Sequence, residues 1–193
     1  MSALVRAAAA IRDGELVVYP TETVYGLAVD ALDPAAVDRV FEAKARERSK
    51  PISMAVPSVP AALEYVHASD RERHFMAQFL PGPVTVLCRR RERVPDVLTS
   101  GRDRVGIRVP DHDLALRLAE RAGTPITATS ANVSGRPSAR RVDDLDEEVI
   151  RAAAEVLDGG ETPGSASTVV NVAEGRIVRA GALADEIEGW LNR

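Results

Sequence analysis

Short apolar runs alternate with amphipathic stretches along the chain, and the two patterns predict different elements. Apolar runs of about four to eight residues bounded by Gly or Pro are typical of buried strands, and apolar residues recurring every three or four positions are typical of helices. The runs predict strands over residues 16–19, 52–56, 84–88, 105–109, 126–129, 167–172 and 176–178. The amphipathic stretches predict helices over residues 2–12, 34–46, 60–67, 70–79, 112–122, 143–157 and 181–191.

Two helix ends carry capping residues. Gly14, after Asp13, is a plausible cap at the end of the first helix, because glycine is favoured just past a helix C-terminus. Asp33 is a candidate N-cap of the second helix, and Pro34 fits its first turn. Strands that alternate with helices indicate an α/β protein of mixed α+β type, with one sheet covered by helices. The irregular spacing argues against a strictly repeated βαβ fold.

The composition is that of an ordinary globular protein, with 45% hydrophobic and 28% charged residues. We expect residues 1–193 to form a single domain. The single cysteine, Cys88, excludes an internal disulfide and fits a reducing compartment. No segment approaches the roughly 18 apolar residues of a membrane span, and the N-terminus lacks a signal-peptide layout. We therefore expect a cytoplasmic protein with no membrane partner.

The net charge of −4 gives no overall attraction to nucleic acid, so any anion site must be local. The two lysines of the chain, Lys44 and Lys50, lie in one short run with Arg46 and Arg48. Lysine supplies a compact charge for phosphate, and arginine supplies a two-pronged donor for phosphate or carboxylate. Four cations this close repel one another unless an anion brings them together. The run is either an anion site or a solvated helix end with accidental spacing.

Polar residues follow two of the predicted strands, at the sheet edge where open α/β sheets bind ligands. Residues 20–27 contain two hydroxyls, a carboxylate and a phenol. They either bind a small polar ligand or form a capping turn that starts a short helix. In residues 126–137, a predicted strand is followed by a loop of small and hydroxylated residues. Their N–H groups and hydroxyls either approach an anion or form an ordinary polar turn.

Two further features have competing explanations. The hydroxyls of Ser165 and Ser167 begin a predicted strand, where β-propensity is the stronger explanation. Arg108 lies inside an otherwise apolar strand, and a buried arginine needs a partner. A ligand carboxylate, Asp111, Asp113 or an edge position would each account for it.

Other chemistries lack the residues they need. The three histidines, His67, His74 and His112, lie far apart without metal-ligand spacing, so we expect no metal site built by the protein. The chain has neither a Gly-Lys-Ser/Thr phosphate loop nor a Gly-x-Ser-x-Gly nucleophile elbow. Aromatic residues make up only 4% of the chain, which disfavours a base-stacking platform for RNA.

In their order along the chain, these segments resemble the YrdC-like family of L-threonylcarbamoyladenylate synthases, in its short single-domain form. The resemblance covers roughly residues 5–182 and rests on Pro20-Thr-Glu-Thr-Val-Tyr-Gly-Leu27, Lys44-x-Arg46 with Lys50-Pro51, Pro81-Gly-Pro-x-Thr85, Arg108-x-Pro110, Ser130-Ala-Asn132-x-Ser134-Gly135, Ser167-Thr-Val-Val170 and Arg179-x-Gly181. The chain departs from the family pattern at Glu47 and Ala180, where proline is frequent.

The resemblance implies a twisted mixed sheet with helices on both faces around a basic cavity. It implies a nucleotidyltransferase that joins L-threonine, bicarbonate and ATP into threonylcarbamoyl-AMP and pyrophosphate, with Mg²⁺ carried on the ATP phosphates. A partner tRNA threonylcarbamoyltransferase would pass the group to the adenosine beside the anticodon. The alternative is a double-stranded-RNA or tRNA-binding module without catalysis, and either RNA is a further candidate partner of the enzyme.

The resemblance also implies roles for individual residues. The catalytic residues, which would contact the phosphates or bicarbonate, would be Lys44, Arg46 and Lys50. The residues that would bind threonine or bicarbonate are Thr21, Tyr25, Arg108 and Ser167. Besides the three catalytic cations, the residues that would bind ATP are Ser130, Asn132, Ser134 and Arg179.

Overall fold

The computed structural model describes residues 2–193, whose strands form one mixed sheet. The strands are β1 (Leu16–Tyr19), β2 (Gly26–Ala28), β3 (Ser53–Ala55), β4 (Val66–His67), β5 (Val84–Arg90), β6 (Arg104–Arg108), β7 (Ile126–Ser130), β8 (Ala153–Val156), β9 (Thr168–Asn171) and β10 (Arg176–Arg179). The helices are α1 (Ala3–Arg12), α2 (Pro34–Ala43), α3 (Val59–Ala62), α4 (Asp70–Phe79), α5 (Asp96–Thr99), α6 (Asp113–Ala122), α7 (Glu147–Ala152) and α8 (Ala184–Leu191). None of the helices described is long and apolar enough to cross a membrane.

The strands lie in the order β10-β9-β5-β6-β3-β7-β2-β1-β8, with β4 beside β5. Antiparallel pairs, such as β1 with β2 and β5 with β6, occur beside parallel pairs, such as β3 with β6 and β1 with β8. A strictly repeated βαβ order would make every pair parallel. The mixture confirms the predicted mixed α/β class with one sheet covered by helices.

Helices cover both faces of the sheet, and β1 shows how its residues divide between them. Val17 and Tyr19 bury against α1 and α6, which pack together on one face. Leu16 and Val18 belong to the larger core cluster, which includes residues of α2, α4 and α8. The division follows from the strand itself, because successive side chains of a strand point to opposite faces.

The two capping predictions are confirmed. The side chain of Asp33 accepts a hydrogen bond from the backbone N–H of Ala35 at 2.9 Å, and Pro34 is the first residue of α2. Gly14 follows α1 with φ +75°, a left-handed conformation that glycine adopts without steric cost. These ends are set by local chemistry, which is why the sequence alone locates them.

The predicted helix over residues 143–157 is wrong in its second half. Helix α7 ends at Ala152, and Ala153–Val156 form β8, which pairs in parallel with β1 at the edge of the sheet. Nothing in the local sequence of β8 favours a strand strongly. The free hydrogen-bonding groups of β1 select the extended conformation, so this strand depends on its neighbour.

Two other segments also form strands in place of predicted helix. The predicted helix over residues 60–67 is confined to Val59–Ala62, and Val66–His67 pair with β5. Residues 20–27 do not start a helix either, because Gly26–Ala28 form β2, antiparallel to β1. Residues 20–25 are therefore the loop of a hairpin, next to the candidate site described below.

Candidate functional site

A cavity of about 520 Å³ opens above the sheet, and most of the strands contribute to its wall. Five cationic side chains line it: Arg46, Lys50, Arg102, Arg108 and Arg179. Among the residues that the structure describes, the lining contains no carboxylate, histidine or cysteine. The chain as a whole has a net charge of −4, so this concentration of positive charge is local. The cavity is therefore built to receive an anion.

Burial and like charge lower the pKa values of two arginines of the cavity. Burial, together with the like charge of Arg179, lowers the pKa of Arg46 from its ordinary value. Burial, together with the like charge of Arg108, lowers the pKa of Arg179. The hydrogen bonds of Arg46 and Arg179 go to backbone carbonyls and one serine hydroxyl. An anion that binds between these guanidiniums relieves their repulsion.

Arg46 and Lys50 are the two cations of the basic run that reach the cavity. Arg46 Nε donates to the carbonyl of Lys50 at 3.0 Å, and its Nη2 donates to the carbonyl of Pro51 at 2.9 Å. These bonds hold residues 46–51 in a loop along the cavity wall. Lys50 Nζ forms an exposed ion pair with Glu47 at 2.9 Å.

The other two cations of the run lie elsewhere. Arg48 pairs with Asp38 on the surface. Lys44 is buried, and its Nζ donates to the carbonyl of Ser130 and, at 2.6 Å, to the carbonyl of Asn132. Lys44 is not among the residues that line the cavity, and its amine contacts two backbone carbonyls in the structure. It ties the loop after β7 to the end of α2.

Three further residues that the resemblance assigned to ligands lie outside the cavity lining. Tyr25 is fully buried, and its hydroxyl donates to the carbonyl of Gly160 at 2.8 Å, which fastens a neighbouring loop. Asn132 Nδ2 donates to the carbonyl of Arg136 at 2.9 Å. Ser134 is exposed, with its backbone N–H bound to the carbonyl of Lys44. Tyr25 and Asn132 link loops through their side chains and Ser134 through its backbone, whereas Ser130 lines the cavity.

Thr21 lines the cavity, but its hydroxyl is used by its own turn. Thr21 Oγ1 donates to the carbonyl of Val24 at 2.6 Å and accepts from the backbone N–H of Val24 at 3.3 Å. It also lies 2.8 Å from Thr23 Oγ1. Threonine hydroxyls commonly form such local turns with the following backbone. The hydroxyl of Thr21 therefore already has partners within its own turn.

Ser167 directly precedes β9 and lies beside two other cavity residues. Its Oγ accepts from Arg179 Nη2 at 3.0 Å and lies 3.3 Å from Thr85 Oγ1. Thr85 was part of a sequence motif but was not assigned to the site. Other lining residues that the sequence analysis did not assign individually are Tyr19, Thr23, Ser49, Ser53, Arg102, Thr129 and Ser138. Tyr19 and Ser53 are terminal residues of β1 and β3, whereas Ser49, Arg102 and Ser138 lie in loops, where no sequence signal selected them.

The segment between Lys44 and Arg46 has a strained backbone. Ala45 has φ +44°, in the left-handed region, where a β-carbon costs about 1–2 kcal/mol. Its N–H bonds to the carbonyl of Glu42, and the N–H of Arg46 bonds to the carbonyl of Phe41. This is the Schellman end of a helix, where glycine is usual. The reversal sends Lys44 into the protein and Arg46 to the cavity.

Replacing Ala45 by glycine is expected to stabilise the protein by about 1 kcal/mol, because glycine adopts positive φ without the β-carbon penalty. The measurement is urea unfolding of both proteins. Gly14 ends α1 in the same arrangement, with its N–H bound to the carbonyl of Ile11. Gly14→Ala is therefore the matched control and should lose about as much. An Ala45→Gly protein less stable than the wild type would show that Ala45 is not strained.

The ε-amine of Lys44 is expected to titrate about two pH units below an ordinary lysine. Burial, and then the charge of Arg46, lower its pKa from 10.5 to about 8, although Asp146 opposes the shift. A neutral amine still donates two hydrogen bonds, so both carbonyls stay paired. Between pH 8 and 10.5 the unfolded chain holds a proton that the folded protein has lost. Stability should therefore rise with pH through this window.

NMR of protein labelled with ¹³C-lysine tests this value directly, because the chain has only two lysines. In a Lys50→Arg variant, Lys44 is the one remaining lysine, so its signal is assigned directly. A midpoint above pH 10 would contradict the expected shift.

The fold and the cavity together define a class: a mixed α/β protein with an arginine-rich cavity above its sheet. Comparison with known sequences makes the assignment specific. The sequence model of the Sua5/YciO/YrdC family, described as telomere recombination, matches residues 9–181. The chain belongs to this family.

Two curated relatives and one solved structure with named functions are similar to this chain. A threonylcarbamoyl-AMP synthase of Pyrococcus abyssi is 41% identical over 94% of this chain and 55% of its own length. A threonylcarbamoyl-AMP synthase of Bacillus subtilis is 35% identical over 95% of this chain and 54% of its own length. The crystal structure of P. abyssi Sua5 complexed with L-threonine superimposes with a TM-score of 0.91 and 40% identity, over 96% of this chain and 56% of that one. The chain thus spans about half the length of these relatives.

Proposed function

We propose that this protein is an L-threonylcarbamoyladenylate synthase, a nucleotidyltransferase that makes threonylcarbamoyl-AMP and pyrophosphate from L-threonine, bicarbonate and ATP. The observation that carries the proposal is the cavity lining, which has five cations and no carboxylate within the described residues. Bicarbonate, the carboxylate of threonine, the triphosphate of ATP and the leaving pyrophosphate are all anions. The synthase relatives and the threonine complex of Sua5 support the same reaction.

The chemistry needs positioning and charge neutralisation, and it needs no side-chain nucleophile. The amine of threonine attacks the carbon of bicarbonate, or of carbon dioxide formed from it, and gives a carbamate with loss of water. A carbamate oxygen then attacks the α-phosphorus, and the bond from that phosphorus to the β-phosphate oxygen breaks to release pyrophosphate. Fixed guanidiniums stabilise the charge that moves during this transfer.

The lining residues divide among the three substrates. We place Arg108 at the carboxylate of threonine, with Ser167 and Thr85 beside the amino acid. Arg46, Lys50 and Arg179 would contact bicarbonate or the phosphates, and Ser130 the nucleotide. The cavity offers Mg²⁺ no carboxylate ligand in the part of the chain that the structure describes, so Mg²⁺ would be bound through the ATP phosphates.

The product would be consumed by a tRNA threonylcarbamoyltransferase in the cytoplasm. A double-stranded-RNA or tRNA-binding module without catalysis is not favoured, because the matching curated relatives are named as synthases. Direct contact of this chain with tRNA remains a separate proposal, which a catalytic assay does not address.

The test is incubation of the purified protein with ATP, labelled L-threonine and bicarbonate. We expect pyrophosphate and a labelled adenylate, both dependent on threonine and bicarbonate together. Release of AMP and pyrophosphate at the same rate without either substrate would contradict adenylate synthesis. The same assay with protein heated beyond unfolding controls for contaminating or non-enzymatic hydrolysis.

A further inference from the structure

Glu22 and Arg108 form an ion pair at the wall of the cavity. Arg108 Nη2 donates to Glu22 Oε1 at 2.8 Å and to Thr23 Oγ1 at 2.6 Å. The two side chains are only 14% and 11% exposed. Arg108 and Thr23 line the cavity, whereas Glu22 is not part of the lining. The guanidinium therefore lies between an internal carboxylate and the space where a ligand binds.

The pair is incomplete. Both Glu22 Oε2 and Arg108 Nε are buried without a hydrogen-bond partner. A guanidinium and a carboxylate that pair optimally share two parallel hydrogen bonds, which would satisfy both atoms. A buried polar atom without a partner carries an unrecovered desolvation penalty. The single contact thus leaves one donor and one acceptor unsatisfied within the same pair.

In a second ion pair, between Arg104 and the buried Glu72, both carboxylate oxygens have a partner. Glu72 Oε1 accepts from Arg104 Nη1 at 3.1 Å, and Glu72 Oε2 accepts from the backbone N–H and the hydroxyl of Ser69, each at 2.8 Å. Neither Glu72 nor Arg104 lines the cavity. Both oxygens of Glu72 are thus bonded, whereas one oxygen of Glu22 is not.

We propose that Glu22 is a placeholder for the α-carboxylate of the amino-acid substrate, and that it competes with that carboxylate for Arg108. The inference rests on the proposed function, which supplies an amino acid as the ligand. In the free protein Glu22 offsets the charge of Arg108 and holds the guanidinium in position. A carboxylate that enters from the cavity must share the guanidinium with Glu22 or displace it. Glu22 is thus a positioning residue that sets the affinity for threonine.

The substitution Glu22→Gln separates charge from geometry. Glutamine keeps an oxygen that accepts from Arg108 Nη2 and removes the competing negative charge. In calorimetric titrations we expect the dissociation constant for L-threonine to fall about tenfold, since a like charge at this range shifts ionic equilibria by about one power of ten or more. L-Threoninol, which lacks the carboxylate, should gain less than about twofold. In turnover, KM for threonine should fall, with kcat and KM for ATP unchanged.

Glu72→Gln is the matched control, because it removes the same charge from the buried pair outside the cavity, and it should leave threonine binding unchanged. Should Glu22→Gln fold poorly, Glu22→Asp withdraws the carboxylate from Arg108 by one methylene and should also tighten threonine binding, by a smaller factor. If the wild type binds threonine and a folded Glu22 variant binds it no tighter, the role of Glu22 is overturned, but the proposed function is not. An equal gain for threoninol would overturn it as well. A wild type that does not bind L-threonine would overturn the proposed function together with this inference.

Discussion

Valine is expected to be adenylated about ten thousand times less efficiently than L-threonine, and serine about ten to two hundred times less efficiently. Four buried serine and threonine hydroxyls line the cavity, those of Thr21, Thr23, Thr85 and Ser167. An amino acid without a hydroxyl would place an apolar methyl group against these buried hydroxyls, which costs more than the loss of one methyl contact. The measurement is kcat/KM for pyrophosphate release with each amino acid at saturating ATP and bicarbonate.

Two buried threonines form a matched pair for locating the hydroxyl contact. Thr21 and Thr85 are 4% and 3% exposed, and both line the cavity. Sequence reasoning assigned the contact to Thr21, but the turn occupies that hydroxyl, whereas Thr85 Oγ1 has one neighbour, Ser167 Oγ at 3.3 Å. We expect Thr85→Val to reduce the threonine-to-valine ratio. Thr21→Val should instead lower stability by about 1 kcal/mol through loss of the turn.

A wild type that adenylates valine as well as threonine would show that the cavity does not read the hydroxyl. The threonine assignment would then rest on family likeness alone. A loss of selectivity in Thr21→Val, with Thr85→Val unaffected, would restore the assignment made from the sequence.

Replacing Arg46 by lysine is expected to lower kcat/KM about thirty- to a thousand-fold, although the charge is kept. Lysine cannot make the two-pronged contact of a guanidinium, and losing one charge-assisted contact in the transition state costs about 2–4 kcal/mol. The structure adds a second reason, because Arg46 also bonds the carbonyls of Lys50 and Pro51. The measurement is steady-state kinetics on a variant whose unfolding transition matches that of the wild type.

Arg48→Lys is the control for this substitution. Arg48 belongs to the same basic run, but it pairs with Asp38 on the surface and lies outside the cavity lining. Its replacement should leave kcat/KM within about twofold of the wild type, because surface ion pairs contribute little. Full activity in a folded Arg46→Lys protein would remove Arg46 from the site.

Much of the candidate site was predictable, because its polar residues stand out against apolar strands. Arg108 is a cation at the end of the apolar strand β6, and Ser167 directly precedes β9. The side chains that reach the cavity could not be chosen from the sequence. The partner of Arg108 is Glu22, which lies 86 residues away in the chain and was not among the candidates.

The basic run shows the same limit within a single turn. The sequence placed four cations together, and their proximity suggested one shared anion site. The left-handed backbone at Ala45 separates them, so Lys44 binds carbonyls inside the protein and Arg46 faces the cavity. Side-chain direction depends on backbone dihedrals, and these depend on how α2 ends against the loop after β7.

By itself the sequence determined the mixed α/β class, the capped ends of α1 and α2, the basic character of the site and the family motifs. These features depend on residue type and on neighbours a few positions away, where propensity, periodicity and capping operate. Only the tertiary structure decided that residues 153–156 form a strand, that Lys44 and Tyr25 turn away from the cavity, and that Glu22 holds Arg108. Each of these depends on a partner distant in sequence, whose hydrogen bonds and charge exist only once the sheet has assembled.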